Sequence, residues 1–168
     1  MTKKHIIGDK QSFAIEYMAV KTDPYLVGNC CLWIGGLRVG CFDDEATLYS
    51  IVSQLYEHVT RLKKHDYAPF NSVSDEEAYD LIFGGQMEIE NSHCLLHLSE
   101  TFDDFHFACI NNNGSAKFLW KLDKEPYADY PDYGHDLHVY ELPIDTLEGV
   151  VQDFYSDVKF LLNQRNYS

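Results

Sequence analysis

The stretch Cys30-Cys31-Leu32-Trp33-Ile34-Gly35-Gly36-Leu37-Arg38-Val39-Gly40-Cys41-Phe42 admits few conformations. Two adjacent glycines between apolar flanks supply the positive φ angles of a two-residue hairpin turn. That turn pairs Ile34 with Leu37, Leu32 with Val39 and Cys30 with Cys41 on one face. It sets Trp33 beside Arg38 on the other, a pair suited to stacking. Such a hairpin needs another strand beside it and a helix over its apolar face. Residues 12–20 read as the strand, with Phe13, Ile15, Tyr17 and Ala19 on one face and Glu16 on the other. Lys21-Thr22-Asp23-Pro24 turns the chain between them. The helix opens at Asp43-Asp44-Glu45, acids at its positive end, and runs to about Lys64. Leu48, Ile51, Val52, Leu55, Val59 and Leu62 form its apolar stripe, and Arg61, Lys63 and Lys64 suit its last turn.

Further along, Ser74 with Glu77 three residues on is a capping-box pattern, and Gly84-Gly85 is a helix stop. Three strands follow over residues 93–99, 105–110 and 116–122, joined by residues 100–104 and by Asn111-Asn112-Asn113-Gly114. The order is a meander, hence antiparallel. A last strand over residues 137–142 leads into a last helix, started by Pro143 and Asp145 with Glu148 completing a capping box. Leu147, Val150, Val151, Phe154, Val158, Leu161 and Leu162 are its buried stripe. Strands and helices in separate blocks define an α+β class. The expected architecture is one domain over residues 1–168, an antiparallel sheet of about seven strands with two long helices and one short helix packed against it. The first and last helices are expected on one face.

Charge narrows the function. Lys and Arg total 13 against 27 Asp and Glu, a net charge of −14. Such a surface repels nucleic acid and anionic membranes and speeds capture of a basic partner. The 45% hydrophobic content excludes general disorder. Neither a secretory leader nor a membrane span is legible, because the basic opening Lys3-Lys4 runs into Gly8-Asp9-Lys10 after a very short apolar stretch. The five cysteines at 30, 31, 41, 94 and 109 lack framework spacing and read as buried reduced thiols of a cytoplasmic protein.

Site chemistry is sparse. His93, His97 and His106 would converge if residues 93–99 and 105–110 pair, and three imidazoles can hold zinc with an open fourth position. That defines one alternative, a metal-dependent enzyme. Against it, the histidines alternate with core-type Cys94, Leu96 and Leu98, and no spacing matches a zinc signature. His135 and His138, near Asp132 and Asp136, read equally well as a polar loop edge. There is no nucleophile elbow, phosphate loop or dinucleotide fingerprint. The expectation is therefore no enzyme, no catalytic residue and no cofactor.

The stronger signal is the stretch 123–136, broken by two prolines and a glycine. It carries Asp123, Glu125, Asp129, Asp132 and Asp136, interleaved with Tyr127, Tyr130 and Tyr133. Tyrosines anchor interfaces, and surrounding carboxylates steer cationic partners. These eight residues are the candidate partner-binding set; the plainer alternative is a solvated loop whose tyrosines cap a sheet edge. An acidic adaptor or scaffold is a further possibility.

Gly8-Asp9-Lys10, Phe13-Ala14-Ile15-Glu16-Tyr17, and Leu32-Trp33-Ile34-Gly35-Gly36 with Val39-Gly40 resemble the opening of the immunity protein 42 family of bacterial polymorphic toxin systems. The likeness covers roughly the first 60 residues, and its motifs mark a fold and contain no active site. It implies a cytoplasmic antidote that binds and blocks a cognate toxin, often a nuclease. A basic nuclease cleft that grips phosphate is one that carboxylates can fill. The pair Cys30-Cys31 and the Tyr-Asp-Pro loop have no counterpart in that pattern.

Overall fold

The computed structural model describes residues 3–21, 24–84 and 91–164. The α+β class holds, and the strands divide between two antiparallel sheets of five and three strands. In the first sheet β1 (His5–Gly8), β2 (Phe13–Lys21), β3 (Val27–Ile34) and β4 (Leu37–Val39) lie in chain order. A short β5 (Glu45–Thr47) pairs with the other half of β3. The second sheet is the meander β6 (Phe105–Asn112), β7 (Ser115–Leu122), β8 (His138–Pro143).

The β3–β4 hairpin forms in the expected register, Leu32 opposite Val39, Trp33 opposite Arg38 and Ile34 opposite Leu37. Gly35 and Gly36 take φ of 57° and 85°, as a two-residue turn with this twist demands. The turn also lies against the ring of Tyr140 on β8, so the hairpin tip reaches the second sheet. The expected Cys30–Cys41 pair does not form. Gly40, at φ 98°, ends the ladder, and a Cβ there would sit 2.6 Å from the Phe102 ring. Cys41 turns away and donates its N–H to Thr101 O. The edge of β3 left open by this departure is taken by β5, with Asn29 opposite Glu45. Residues 43–47 are consequently not helical: α1 (Leu48–Leu62) begins later than its acids imply, with no acid in its first turn.

The apolar stripe of α1 is buried as expected, with His58 added to it. Two short helices follow, α2 (Ala68–Asn71) and α3 (Asp75–Phe83), the latter capped by the reciprocal Ser74–Glu77 box. Gly84 caps its end, and Gly85 lies outside the described residues. The strand expected over residues 93–99 is a 3-10 turn, Ser92–Cys94, and an irregular run touching β6 through one bridge, Leu95 to Ala108. The 3-10 turn takes Ser92–Cys94 out of extended geometry, and beyond it Leu96 N–H donates to Phe107 O at 3.0 Å. The last helix, α4 (Ile144–Asn163), is capped by Pro143, which has no side-chain acceptor. The expected capping box is absent, and Glu148 pairs instead with Lys63, the residue that ends α1.

Helices α1 and α4 pack side by side over β1–β3, as expected for one shared face. Tyr17 joins the layers: its ring lies 5.1 Å from that of Phe154 and its hydroxyl donates to Asp157 at 2.9 Å. The two sheets share one core through Phe13, Phe118 and Phe107, whose rings stack at 5.6 and 5.7 Å. Each such fully buried Phe contributes about 2–3 kcal/mol. All five cysteines are free and buried, and burial pushes the Cys31 and Cys94 thiols up to about 12. They are unreactive in this state.

Candidate functional site

The segment between β7 and β8 folds back over the edge of the shared core. Two of its tyrosines are structural. Tyr130 is buried and meets Phe105 edge-on at 4.8 Å; Tyr133 meets the same ring at 5.2 Å and accepts the Trp120 indole N–H at 3.1 Å. Burial pushes the Tyr133 hydroxyl up to about 12, so it stays neutral. The backbone is pinned between them by Tyr133 N–H to Tyr130 O. Upstream, the nearly buried carboxylate of Asp104 accepts the N–H groups of Tyr127 and Ala128.

Pinned in this way, the loop turns its remaining side chains outward. Tyr127 is 97% exposed, a ring held free of the protein by an anchored backbone. Glu125, Asp129, Asp132 and Asp136 are exposed around it. Asp123 is half-buried and in contact with His106 at 3.2 Å. The Glu125 N–H, with His106 beside it, holds the Asp123 carboxyl below the ordinary range. His106 Nε2–H pointing at Asp123 leaves Nδ1 to accept the Tyr79 hydroxyl at 3.1 Å, which fixes the ring. Six of the eight candidate residues thus lie on the loop's outer side, whereas Tyr130 and Tyr133 pack beneath it against Phe105 and Trp120, as tyrosines capping a sheet edge do.

Of the three imidazoles of the metal alternative, His93 lies apart from the other two. His93 stacks on His65 at 4.8 Å and packs against Tyr67, while His106 is committed to Tyr79 and Asp123. His97 and His106 line a cleft of about 330 Å³ between β6 and the run after the 3-10 turn. Among the described residues no group of three or more His, Cys, Asp or Glu could hold a metal ion. His138 stacks on Trp120 at 5.4 Å, and burial lowers its pKa against the opposing pull of Asp136.

A second arrangement, which local sequence did not signal, lies on the outer face of the first sheet. The Glu16 carboxylate accepts the Trp33 indole N–H at 2.7 Å and pairs with Lys10 at 2.6 Å and Lys4 at 2.9 Å. Lys10 also sits over the Trp33 ring at 4.1 Å, so the cation seated on the indole is Lys10. Burial alone would raise the Glu16 pKa; the two lysines and the indole override it and bring it to about 2. Arg38, opposite Trp33, lies within electrostatic reach of Tyr130 and Tyr133.

A helix pair thus lies over one sheet, a second sheet closes the core, and an acidic loop is anchored across its edge. The chain belongs to the immunity protein 42 family, whose model matches residues 2–157. It is similar in fold to the crystal structure of CdiI from Burkholderia dolosa AUO158, with a TM-score of 0.66 at 18% identity, covering 91% of this chain and 99% of that one. No curated protein matches it. Family membership places the protein in a toxin–immunity system, in a non-enzymatic role with a cognate toxin as partner. Among the described residues no helix is long and apolar enough to cross a membrane.

Proposed function

We propose that this immunity protein neutralises a basic toxin domain in the cytoplasm by covering its cationic cleft with the loop 123–136, making and breaking no bond. The observation that carries the reading is the contrast within that loop. Its backbone is held by Asp104 and its inner tyrosines by Phe105 and Trp120, while Tyr127 and four carboxylates stand free. An anchored loop has little conformational entropy left to lose on binding, and a rigid aromatic amid like charges is a suitable hot spot. The net charge of −14 steers a basic partner and repels nucleic acid and anionic membranes. A slow off-rate then suffices for protection.

The test is co-expression with the toxin domain encoded next to this gene. Cells carrying both should grow where the toxin alone kills. Continued killing by an active toxin, with this chain expressed and folded, would remove the reading.

A further inference from the structure

Among the described residues Arg38 is a cation with no ion-pair partner in a strongly acidic chain. It occupies the middle of the three-residue β4, directly opposite Trp33 on the face turned away from the helices, and it is half-exposed. Among the described residues its guanidinium makes no ion pair and no hydrogen bond, although the chain has 27 acids for 13 bases. Glu16, the acid on the same face, is saturated by Lys4, Lys10 and the Trp33 indole. The loop's own acids are nearby in sequence to Tyr130 and Tyr133, which Arg38 approaches, yet none of them turns back to it. Tyr133 spends its hydroxyl on Trp120. A guanidinium presents five N–H donors in a planar fork that fits a carboxylate bidentately. Leaving it idle at the foot of a surface dominated by the opposite sign is a poor stability device and a good recognition device.

We propose that Arg38 is a specificity-determining contact that receives an aspartate or glutamate carboxylate of the cognate toxin. The proposal rests on the toxin-binding reading above. It makes the interface two-signed: the loop presents carboxylates to cations, and Arg38, on the outer face of the β3–β4 hairpin, presents a cation to an anion. Basic toxins without an acid at that point would place a cation or a bare apolar group against Arg38, and such mismatches weaken an interface. The loop alone would capture any basic domain; Arg38 selects among them. The two parts separate kinetically, because long-range charge sets the on-rate while a desolvated ion pair sets the off-rate.

The experiment measures association and dissociation rates for the neighbouring toxin domain with wild type, Arg38→Gln, Arg38→Lys and Arg38→Glu. A fourth variant, Asp129→Asn/Asp132→Asn/Asp136→Asn, reports on the loop. Arg38→Gln should dissociate at least about tenfold faster, with its association rate within about twofold of wild type, and Arg38→Lys should recover only part of the loss. Arg38→Glu should bind still more weakly and be restored by reversing the facing acid of the toxin to arginine. Equal melting temperatures for wild type and Arg38→Gln keep the comparison one of binding. Wild-type dissociation from Arg38→Gln and Arg38→Glu, beside a slowed loop variant, overturns the Arg38 contact and leaves the loop reading intact. A loop variant with wild-type rates beside a weakened Arg38→Gln does the reverse. Absence of any complex overturns both.

Discussion

Asp104 accepts the backbone N–H of Tyr127 at 2.7 Å across 23 residues of chain, and that of Ala128 at 3.0 Å. One nearly buried carboxylate thus fixes the backbone of the loop beneath its most exposed ring. Removing it strands two amide groups. Asp104→Ala should cost about 1–3 kcal/mol and lower the melting temperature by roughly 3–10 °C. Hydrogen exchange should show the Tyr127 and Ala128 amides losing protection while β6 and β7 keep theirs. Unchanged protection at those two amides would refute the role given to Asp104.

Tyr127 separates binding from folding. With its side chain almost wholly in solvent, Tyr127→Ala should leave the melting temperature within about 1 °C of wild type. As an interface anchor it should lose about 2 kcal/mol of toxin affinity, roughly thirtyfold. Scanning calorimetry reads the melting temperature and calorimetric titration with the toxin domain the affinity, and equal affinity would exclude Tyr127 from the contact.

Glu16 should dominate the lower part of the acid-unfolding profile. Its pKa is about 2 in the folded protein against an ordinary 4.5, so its stabilisation is complete above 4.5 and fades as pH falls towards 2. Glu16→Gln should be less stable than wild type at pH 7, and the gap should close between those two values. Urea unfolding at a series of pH values measures it; a gap independent of pH would contradict the Lys4–Glu16–Lys10 arrangement.

His58 acts over a higher window. It is fully enclosed beneath α1, its Nε2 lies 2.9 Å from Cys109 O, and burial brings its pKa to about 3. The unfolded chain takes up the proton near 6.5 and the folded one does not, so stability falls as pH drops from 6.5 to 3. The slope attributable to this group is about 1.4 kcal/mol per pH unit. His58→Gln should flatten the wild-type profile over that interval. Parallel profiles would show that the site is not dry.

Local patterns made the longer helices, the β3–β4 hairpin and the β6–β7 pair legible, because each depends on near neighbours. The stripe from Leu48 to Leu62, the Ser74–Glu77 box and the Gly35-Gly36 turn all follow from spacing. What spacing could not reach were competitions decided by distant chain. Asp43-Asp44-Glu45 looks like a helix start, but the edge of β3 vacated at Gly40 claims residues 45–47 as a strand. Likewise Glu148 stands three residues after Asp145, as a capping box requires, but the helix caps two residues earlier at Pro143, which leaves Asp145 inside the first turn and Glu148 to pair with Lys63. The loop was visible as acidic and tyrosine-bearing. Which tyrosines face inward was not, since Tyr127, Tyr130 and Tyr133 share a spacing of three, and only Phe105 and Trp120 distinguish them. Asp104 carries no local signal, and the hairpin pattern that placed Arg38 beside Trp33 could not show that Lys10 takes the indole face.

The association rate of the neighbouring toxin domain, followed against ionic strength, addresses the central claim most directly. Wild type should associate fast at low salt and slow steeply as salt rises, whereas the Asp129→Asn/Asp132→Asn/Asp136→Asn variant should start about tenfold slower with a shallower slope. Identical rates and slopes for the two proteins would contradict capture by the acidic loop.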